Sequence, residues 1–387
     1  MKKIIDLGMH PYADTFIKRE EFYISEPIYP LECFLDENTG LVSLGHKTSP
    51  SERYNLYEYS YTSSNSSYSK QYWSNYAIEV KEKFKNAKSI LEIGSNDGYL
   101  LSHFNNYLTI GVDSSDYISK VANNQGIKTY CAIFDEKYSQ QLKSKHSGFD
   151  IIIANNVFNH SNDPSDFARG VKNILNEDGT FIFEVPYWMD TIKDYRFDQI
   201  YHEHVSYFTV KSAKNILREC GLYIYDIKHT DYHGGSIRIY SKKKVLKSNE
   251  SVEKQILKEE REGLFDFEKY DEYMIEIKKR RSLFLNKVHN SIKKGIPIVG
   301  IGAAAKGNTF LNFCGLNSTM VEFITDSSEF KIGKFTPLSR IPILSDEEVF
   351  KKYKKVSAFF LSWNISGIIK EKLKKINSNI HFINLKD

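Results

Sequence analysis

With 387 residues, a formal net charge of +4 and 41% hydrophobic residues, the chain has room for two or three domains, and without a Lys/Arg block it does not read as a dedicated nucleic-acid binder. Its four cysteines, Cys33, Cys131, Cys220 and Cys314, are widely spaced with no CxxC pair, which excludes a disulfide framework and fits a reducing cytoplasm. The opening MKKIIDLGMHPYADTF has no apolar signal-peptide core and no stretch approaches 18 uncharged apolar residues, so a cytoplasmic protein without a membrane span is expected.

Residues 1–70 read as a small N-terminal domain, aromatic and turn-rich, with strand-like runs such as Tyr29-Pro30-Leu31-Glu32-Cys33-Phe34 and a closing serine cluster, YTSSNSSYS (61–69). Residues 71–245 read as an α/β core. AIEVKEKF is helical, SILEIG (89–94) a buried strand, GYLLSHF the start of a helix, LTIGVD (108–113) and FDIIIANNV (149–157) further strands. DFARGVKNILN is an amphipathic helix and GTFIFEVP a strand. Strands separated by helical spacers predict a parallel sheet with crossover helices. The helix SAKNILREC leads into an antiparallel pair, LYIYDIKHTD and GGSIRIYSKK. Residues 246–294, rich in Lys/Glu pairs, read as a solvated helical connector. Residues 295–387 form a second α/β unit, in which IPIVGIGAAAKGNTFLNFCG is strand, glycine turn and helix, and MVEFITD, VSAFFLS and IHFINL are strands.

The stretch LEIGSNDGYLL (91–101) is strand, loop, helix. Gly94 and Gly98 let the backbone turn tightly around a ligand, Ser95 and Asn96 lie on the loop, and the following helix N-terminus would offer free N–H groups. Asp113, nineteen residues after Gly94, ends the next strand, where a carboxylate can accept both ribose hydroxyls. The spacing is not GxGxxG. Glu92 before the first glycine matches motif I of Rossmann-like methyltransferases, which bind S-adenosylmethionine (SAM), and argues against NAD. Asn155 and Asn156, after the third strand, would present amides to the amino-acid part of SAM, and His160 would sit close to the methyl donor. The second glycine loop, VGIGAAAKGNT (299–309), fails the P-loop spacing. Lys306 and Asn308 would place an ammonium and an amide near a pyrophosphate, and Asp326, at the end of the next strand, mirrors Asp113. The alternative for this half is a purely structural α/β domain.

FDQIYHEHVSYFT (197–209) concentrates ionisable side chains. On an extended backbone Tyr201 and Glu203 would share one face, and His202 and His204 the other; a turn would change this. His202 and His204 form an HxH that zinc can use, but no HExxH spacing or third ligand is nearby. A polar strand edge is the blander alternative. His233-Gly234-Gly235 would let backbone approach the same pocket, and Tyr187, after Pro186, would contact sugar. Both also suit plain turn residues.

In that order, LEIGSNDGYLL, ANNVFNH, FEVPY, FDQIYHEHVSYF, HGGSIRIY and GAAAKGNTFLN resemble the sugar C-methyltransferases, SAM enzymes that methylate carbon in nucleotide-linked deoxyketosugars. The likeness covers nearly the whole chain, including LGMHPYADTFI, YEYSYTSSNSSYS and TDSSEFKIGKFTPLSRIPI (325–343). It implies a Rossmann-like SAM core, a small N-terminal domain and a C-terminal Rossmann-like α/β domain that helps hold the nucleotide-sugar. It also implies that Tyr61, Ser63 and Ser66 join the SAM site, that Lys331 joins the substrate site, and that Tyr201, Glu203 and His204 line the active site. Methylating carbon requires a carbanion equivalent, and base abstraction beside a 4-keto group supplies one at carbon 3 with no metal. His204 is then the leading base, since an imidazole titrates near working pH. Tyr201 is the rival base or the donor to the enolate oxygen, and Glu203 orients one of them or binds a sugar hydroxyl. One departure is plain. Members of the family carry four zinc-binding cysteines in the N-terminal domain, whereas here Cys33 is the sole cysteine before residue 131, so zinc is expected to be absent. A sugar O-methyltransferase, which needs no ketone, and an inactive nucleotide-sugar-binding homologue are the other readings; the intact YHEH speaks against the second. The chain is expected to be a monomer or dimer.

Overall fold

The computed structural model describes residues 1–55, 62–64 and 66–384. Three sheets organise them. In the first, β1 (Lys2–Pro11), β2 (Ile28–Leu35) and β3 (Val42–Leu44) pair antiparallel in turn, and β3 also pairs with β9 (Ser206–Tyr207). Alternation along β2 buries Leu31, Cys33 and Leu35. Because β9 directly follows the Tyr201–His204 stretch, the N-terminal sheet is completed by the very segment that carries those side chains.

The second sheet contains β4 (Ser89–Ile93), β5 (Leu108–Asp113), β6 (Thr129–Cys131), β7 (Phe149–Asn155), β8 (Leu175–Pro186), β10 (Tyr223–Thr230) and β11 (Ser236–Lys242), in the order β10-β11-β8-β7-β4-β5-β6. Pairings from β8 to β6 are parallel, while β11 is antiparallel to both β8 and β10. The unbroken burial of β4 and the isoleucine run of β7 are what a parallel sheet covered on both faces requires. One predicted helix is missing. GYLLSHF forms only a 3-10 turn, Leu101–His103, so no α-helix N-terminus stands behind the first glycine loop. The chain returns to β5 at Leu108, too soon after Gly98 for several helical turns.

The Lys/Glu-rich stretch is two helices, Glu250–Arg261 and Phe267–Lys293, and the second is no solvated connector: Tyr270, Tyr273, Ile277, Phe284 and Val288 form a buried stripe. Phe284 meets Phe310 and Phe359 with ring centroids 5.1 and 5.4 Å away, fastening this helix to the third sheet. That sheet is all parallel, β14-β13-β12-β15-β16, from β12 (Ile298–Ile301), β13 (Phe323–Thr325), β14 (Ile343–Leu344), β15 (Val356–Phe360) and β16 (Ile380–Phe382). The short β14 was not foreseen. In the second sheet the order reverses between β4 and β7, and in the third between β12 and β15; ligand crevices of open α/β sheets lie at such switch points, beyond the strands' C-terminal ends. No helix among the described residues is long and apolar enough to cross a membrane.

Candidate active site

At the first switch point Gly94 adopts φ 71° and donates its N–H to the Val112 carbonyl at 2.7 Å. A Cβ there would lie 2.8 Å from Val157, so the position demands glycine twice over. The Asp113 carboxylate accepts from Asn96 N and Ser115 N, both at 2.9 Å, which ties the loop to the tip of β5. Each of its oxygens keeps a second lone pair for a ribose hydroxyl. Glu92 is buried beneath, its carboxyl held well above the usual range by burial and then by Asp97 and Asp113. Glu92 Oε2, Ser95 Oγ, Asn155 Nδ2 and Asn156 Oδ1 are buried with no hydrogen-bond partner among the described residues. Three acids and a set of unpaired polar atoms around a glycine cradle suit a ligand that carries ribose hydroxyls, an α-ammonium and a sulfonium, as SAM does.

The serine cluster closes over this loop. Ser63 N donates to Asn96 Oδ1 at 2.8 Å, and Ser64 gives both its N–H and its hydroxyl to Asp97 Oδ2 at 3.1 and 2.6 Å. The Ser66 hydroxyl accepts from Ser69 N at 3.1 Å and caps the helix Ser67–Lys83. Tyr61 lies outside the described residues. On the β7 side, Asn155 Oδ1 accepts from Tyr76 at 3.3 Å, and Asn156 takes φ 53° with its N–H on the Glu184 carbonyl at 2.7 Å.

Residues 201–204 form a turn rather than a strand, closed by His204 N on the Tyr201 carbonyl at 2.9 Å. The alternating faces expected of an extended chain are therefore replaced. Tyr201 and His204 now meet, with the phenol oxygen 2.6 Å from Nε2 and ring centroids 4.0 Å apart. His204 Nδ1 lies 3.0 Å from the Gln199 carbonyl. A carbonyl only accepts, so Nδ1 carries the proton and Nε2 is left to accept the Tyr201 O–H. Burial, and then the Lys306 ammonium, pull this imidazole down to about 3, so it is neutral in ordinary buffers. His160 comes from the loop after β7 and places its ring 5.1 Å from that of His204.

The other two members of the tetrad turn away. Glu203 Oε1 accepts from Asp14 N at 3.2 Å, in the N-terminal segment, and burial followed by the Asp14 charge pushes its carboxyl up to about 7. His202 packs edge-on against Tyr12 and Tyr29, at 6.0 and 5.8 Å, with Nε2 facing the Pro30 carbonyl at 3.4 Å. It anchors the turn to the N-terminal sheet, and the two imidazoles of the HxH serve different partners.

The second switch point repeats the first. Gly302, at φ 85°, donates to the Thr325 carbonyl at 2.7 Å, and Asp326 accepts from Ala303 N and Ser328 N at 2.6 and 2.8 Å. Lys331 Nζ donates to the Ala303 carbonyl at 2.7 Å and stands 4.0 Å from the Asp14 carboxylate. The helix that follows, Ala305–Cys314, clamps the segment leading into the 201–204 turn. Thr309 Oγ1 donates to the Ile200 carbonyl at 3.0 Å, and Asn308 Nδ2 to the Ala13 carbonyl at 2.6 Å. Asn308, expected at a pyrophosphate, is thus taken up by the N-terminal segment. Lys306 is buried, with Nζ 2.7 Å from Asn364 Oδ1 and 4.1 Å from the Trp363 ring centre. Burial lowers it to about 8, Asp198 opposing and Arg196 assisting.

His233 takes φ 52°, its carbonyl accepts from Gln199 Nε2 at 3.0 Å, and its imidazole is pulled down to about 3 by burial, then by Lys306 and His204. A Cβ on Gly234 would strike Arg196 at 2.1 Å and Trp363 at 2.3 Å, so these glycines do allow close backbone approach. Tyr187 is a correction. It is fully buried and its hydroxyl donates to Glu259 Oε1 at 2.6 Å, on the helix Glu250–Arg261, so it is not available to a sugar. Asp14, Asp198, Trp363, Asn364 and Thr309 were missed by sequence reasoning. Asp198 lies inside FDQIYHEH, and Trp363 follows β15 at the switch point; those were the available signals.

A C-methyltransferase C-terminal domain family matches residues 231–384, and a methyltransferase domain family matches residues 68–227. The chain is similar to the C-methyltransferase NovU of Streptomyces niveus, with 28% identity over 351 residues that span 89% of this chain and 83% of that one. Among solved structures, it is similar to a SAM-dependent methyltransferase from Clostridium acetobutylicum, at 17% identity and TM-score 0.36, over 46% of this chain and 92% of the other. It is also similar to magnesium protoporphyrin IX methyltransferase from Synechocystis, at 13% identity and TM-score 0.36, over 44% and 82%.

Proposed function

We propose that this chain, a SAM-dependent methyltransferase with a C-methyltransferase C-terminal domain, methylates carbon 3 of a nucleotide-linked 4-keto-deoxysugar. The observation that carries the reading is the Tyr201–His204 pair, joined at 2.6 Å, with the His160 ring beside it and the preceding Ile200 carbonyl tied to Thr309 on the helix that holds Lys306. A neutral imidazole with an accepting Nε2 and a fixed Nδ1–H is a proton acceptor, and Tyr201 stands on its accepting side. In this reading the C3–H proton passes to the pair, Tyr201 taking it as its own proton moves to Nε2, or His204 taking it directly. The electrons of that bond become the C3–C4 double bond, and the 4-keto oxygen gains the charge. When bound, SAM supplies the electrophilic methyl that carbon 3 then takes up.

Glu92, Gly94, Ser95, Asn96, Gly98, Asp113, Asn155 and Asn156 would hold SAM, with Ser63 above them. His160 and His233 would face the sugar side, Glu203 would brace the turn against Asp14, and Asp326 and Lys331 belong to a second loop suited to a nucleotide. The reading divides the chain into 1–70, 71–245, 246–294 and 295–387. Incubation with SAM and a nucleotide-linked 4-keto-deoxysugar in D2O tests it: a product heavier by one methyl, with deuterium entering carbon 3 of recovered substrate, is expected. A methyl on oxygen, with no exchange at carbon 3, would point to the O-methyltransferase instead.

A further inference from the structure

We infer that the Lys306 ammonium is the cation that faces the sugar's 4-keto oxygen and takes up its charge as the enolate forms, rather than a ligand of the pyrophosphate. The inference rests on the carbon-methylation proposal above and adds a part that the Tyr201–His204 pair lacks. That pair is neutral before proton transfer, so it offers no positive charge to a developing oxyanion. Glu203, the remaining acid of the tetrad, is turned to the N-terminal segment.

Lys306 has the right placement. It is 8% exposed and comes in from the second switch point. Thr309, three positions further along the same helix, donates to the carbonyl of Ile200, the residue before Tyr201, and Trp363, which lies against the ammonium, donates to Asp198 in the same 197–204 segment, so Lys306 enters beside the turn rather than out along the loop. Its partners leave the charge uncancelled at contact. One N–H goes to a neutral amide, Asn364 Oδ1, at 2.7 Å, and the Trp363 ring lies 4.1 Å away. The nearby Asp198 carboxylate accepts from the Trp363 indole N–H instead. An ammonium has three donors, and among the described residues only the Asn364 bond engages one. A partly desolvated cation with a donor to give, fixed by a buried acid that it does not touch, is preorganised for an oxyanion.

The balance is simple. The C3–H proton goes to the Tyr201–His204 pair, the bonding electrons move through carbon 4 onto oxygen, and Lys306 donates a hydrogen bond to that oxygen without giving up its proton. Methyl transfer then restores the ketone.

The test uses the full-length enzyme with Lys306→Gln, Lys306→Arg and the double variant Lys306→Met/Asp198→Asn, the last so that no buried carboxylate is stranded. Binding of S-adenosylhomocysteine reports folding and the first loop, and binding of the free nucleoside diphosphate reports any phosphate contact. Solvent-deuterium exchange at carbon 3, with S-adenosylhomocysteine present, reports enolisation alone. Expected is a fall of about 10² to 10³ in exchange and in kcat for the uncharged variants, partial retention in Lys306→Arg, and both binding constants within about threefold of wild type. Wild-type exchange in the uncharged variants overturns the inference. So does a loss of nucleoside-diphosphate affinity that matches the loss of rate. If the wild-type enzyme itself exchanges no deuterium, the carbon-methylation reading fails first and the inference falls with it.

Discussion

Replacing Tyr201 by Phe and His204 by Gln, singly and together, tests whether the two side chains act as one device. The phenol oxygen and Nε2 are 2.6 Å apart, and the Gln199 carbonyl at 3.0 Å fixes which imidazole nitrogen can accept. Removing the hydroxyl leaves the His204 ring packed as before but without its proton partner, and removing the imidazole leaves a phenol that cannot pass its proton on. General acid–base groups contribute about 10² to 10⁴ in rate, or roughly 3 to 5 kcal/mol at about 1.4 kcal/mol per tenfold. Each single variant should therefore lose a factor in that range. If the pair works as a unit, the double variant should be within about tenfold of the worse single one, because the second substitution removes nothing that is still operating. If the groups act separately, the losses multiply, to about 10⁴ or beyond. The assay is methyl transfer to a nucleotide-linked 4-keto-deoxysugar, read by mass, with SAM affinity by calorimetry as the check on folding. Multiplicative losses, or wild-type turnover in either single variant, refute the coupled pair.

Gly94→Ala should weaken SAM binding at least about tenfold, since it sets a methyl 2.8 Å from Val157 at φ 71°. Gly302→Ala, whose methyl would meet Ser362 at 2.1 Å, should spare SAM affinity and impair the nucleotide-sugar instead; calorimetry with each ligand separates them. Glu203 gives a pH signature. Its folded value of about 7 lies above its ordinary 4.5, so the folded state binds the extra proton, and the stability that this contributes is present below pH 4.5 and lost as pH rises through 7. Relative to Glu203→Gln, the wild type should lose about 3 kcal/mol of unfolding free energy across that window, measured by denaturant titration; a flat difference would contradict the burial described. Finally, with Cys33 the sole cysteine before residue 131, metal analysis of the purified protein should find well under one zinc per chain, and EDTA should leave Tm unmoved.

The parts of the site legible in the sequence are those fixed by local chain geometry. Gly94, Asp113, Gly302 and Asp326 stand at strand ends, and the strand–glycine–acid spacing is set by the βαβ unit itself, so their places in the fold follow from position. The parts that were not legible depend on contacts across great separations. Glu203 meets Asp14 across 189 residues, Thr309 meets Ile200 across 109, and Asn308 meets Ala13 across 295. The tetrad was recognised as chemistry but not as a turn, because no glycine or proline marks residues 201–204. The helix expected after Gly98 failed for the opposite reason: GYLLSHF has the right pattern, and the tertiary connection to β5 left it no length. Tyr187 was misjudged because a tyrosine after a proline reads as exposed, whereas Glu259, which receives its hydroxyl, arrives from a distant helix.

The hydrogen bonds from Asn308 to Ala13 and from Thr309 to Ile200 also set an order of events. A nascent chain halted at residue 294 would contain the whole first glycine loop and the contacts of the 201–204 turn with Asp14, Pro30 and Gln199, yet Ala13 and Ile200 would lack the bonds that Asn308 and Thr309 give them. The last quarter of the polypeptide adds those bonds when it folds back onto both the first fourteen residues and the middle of the chain.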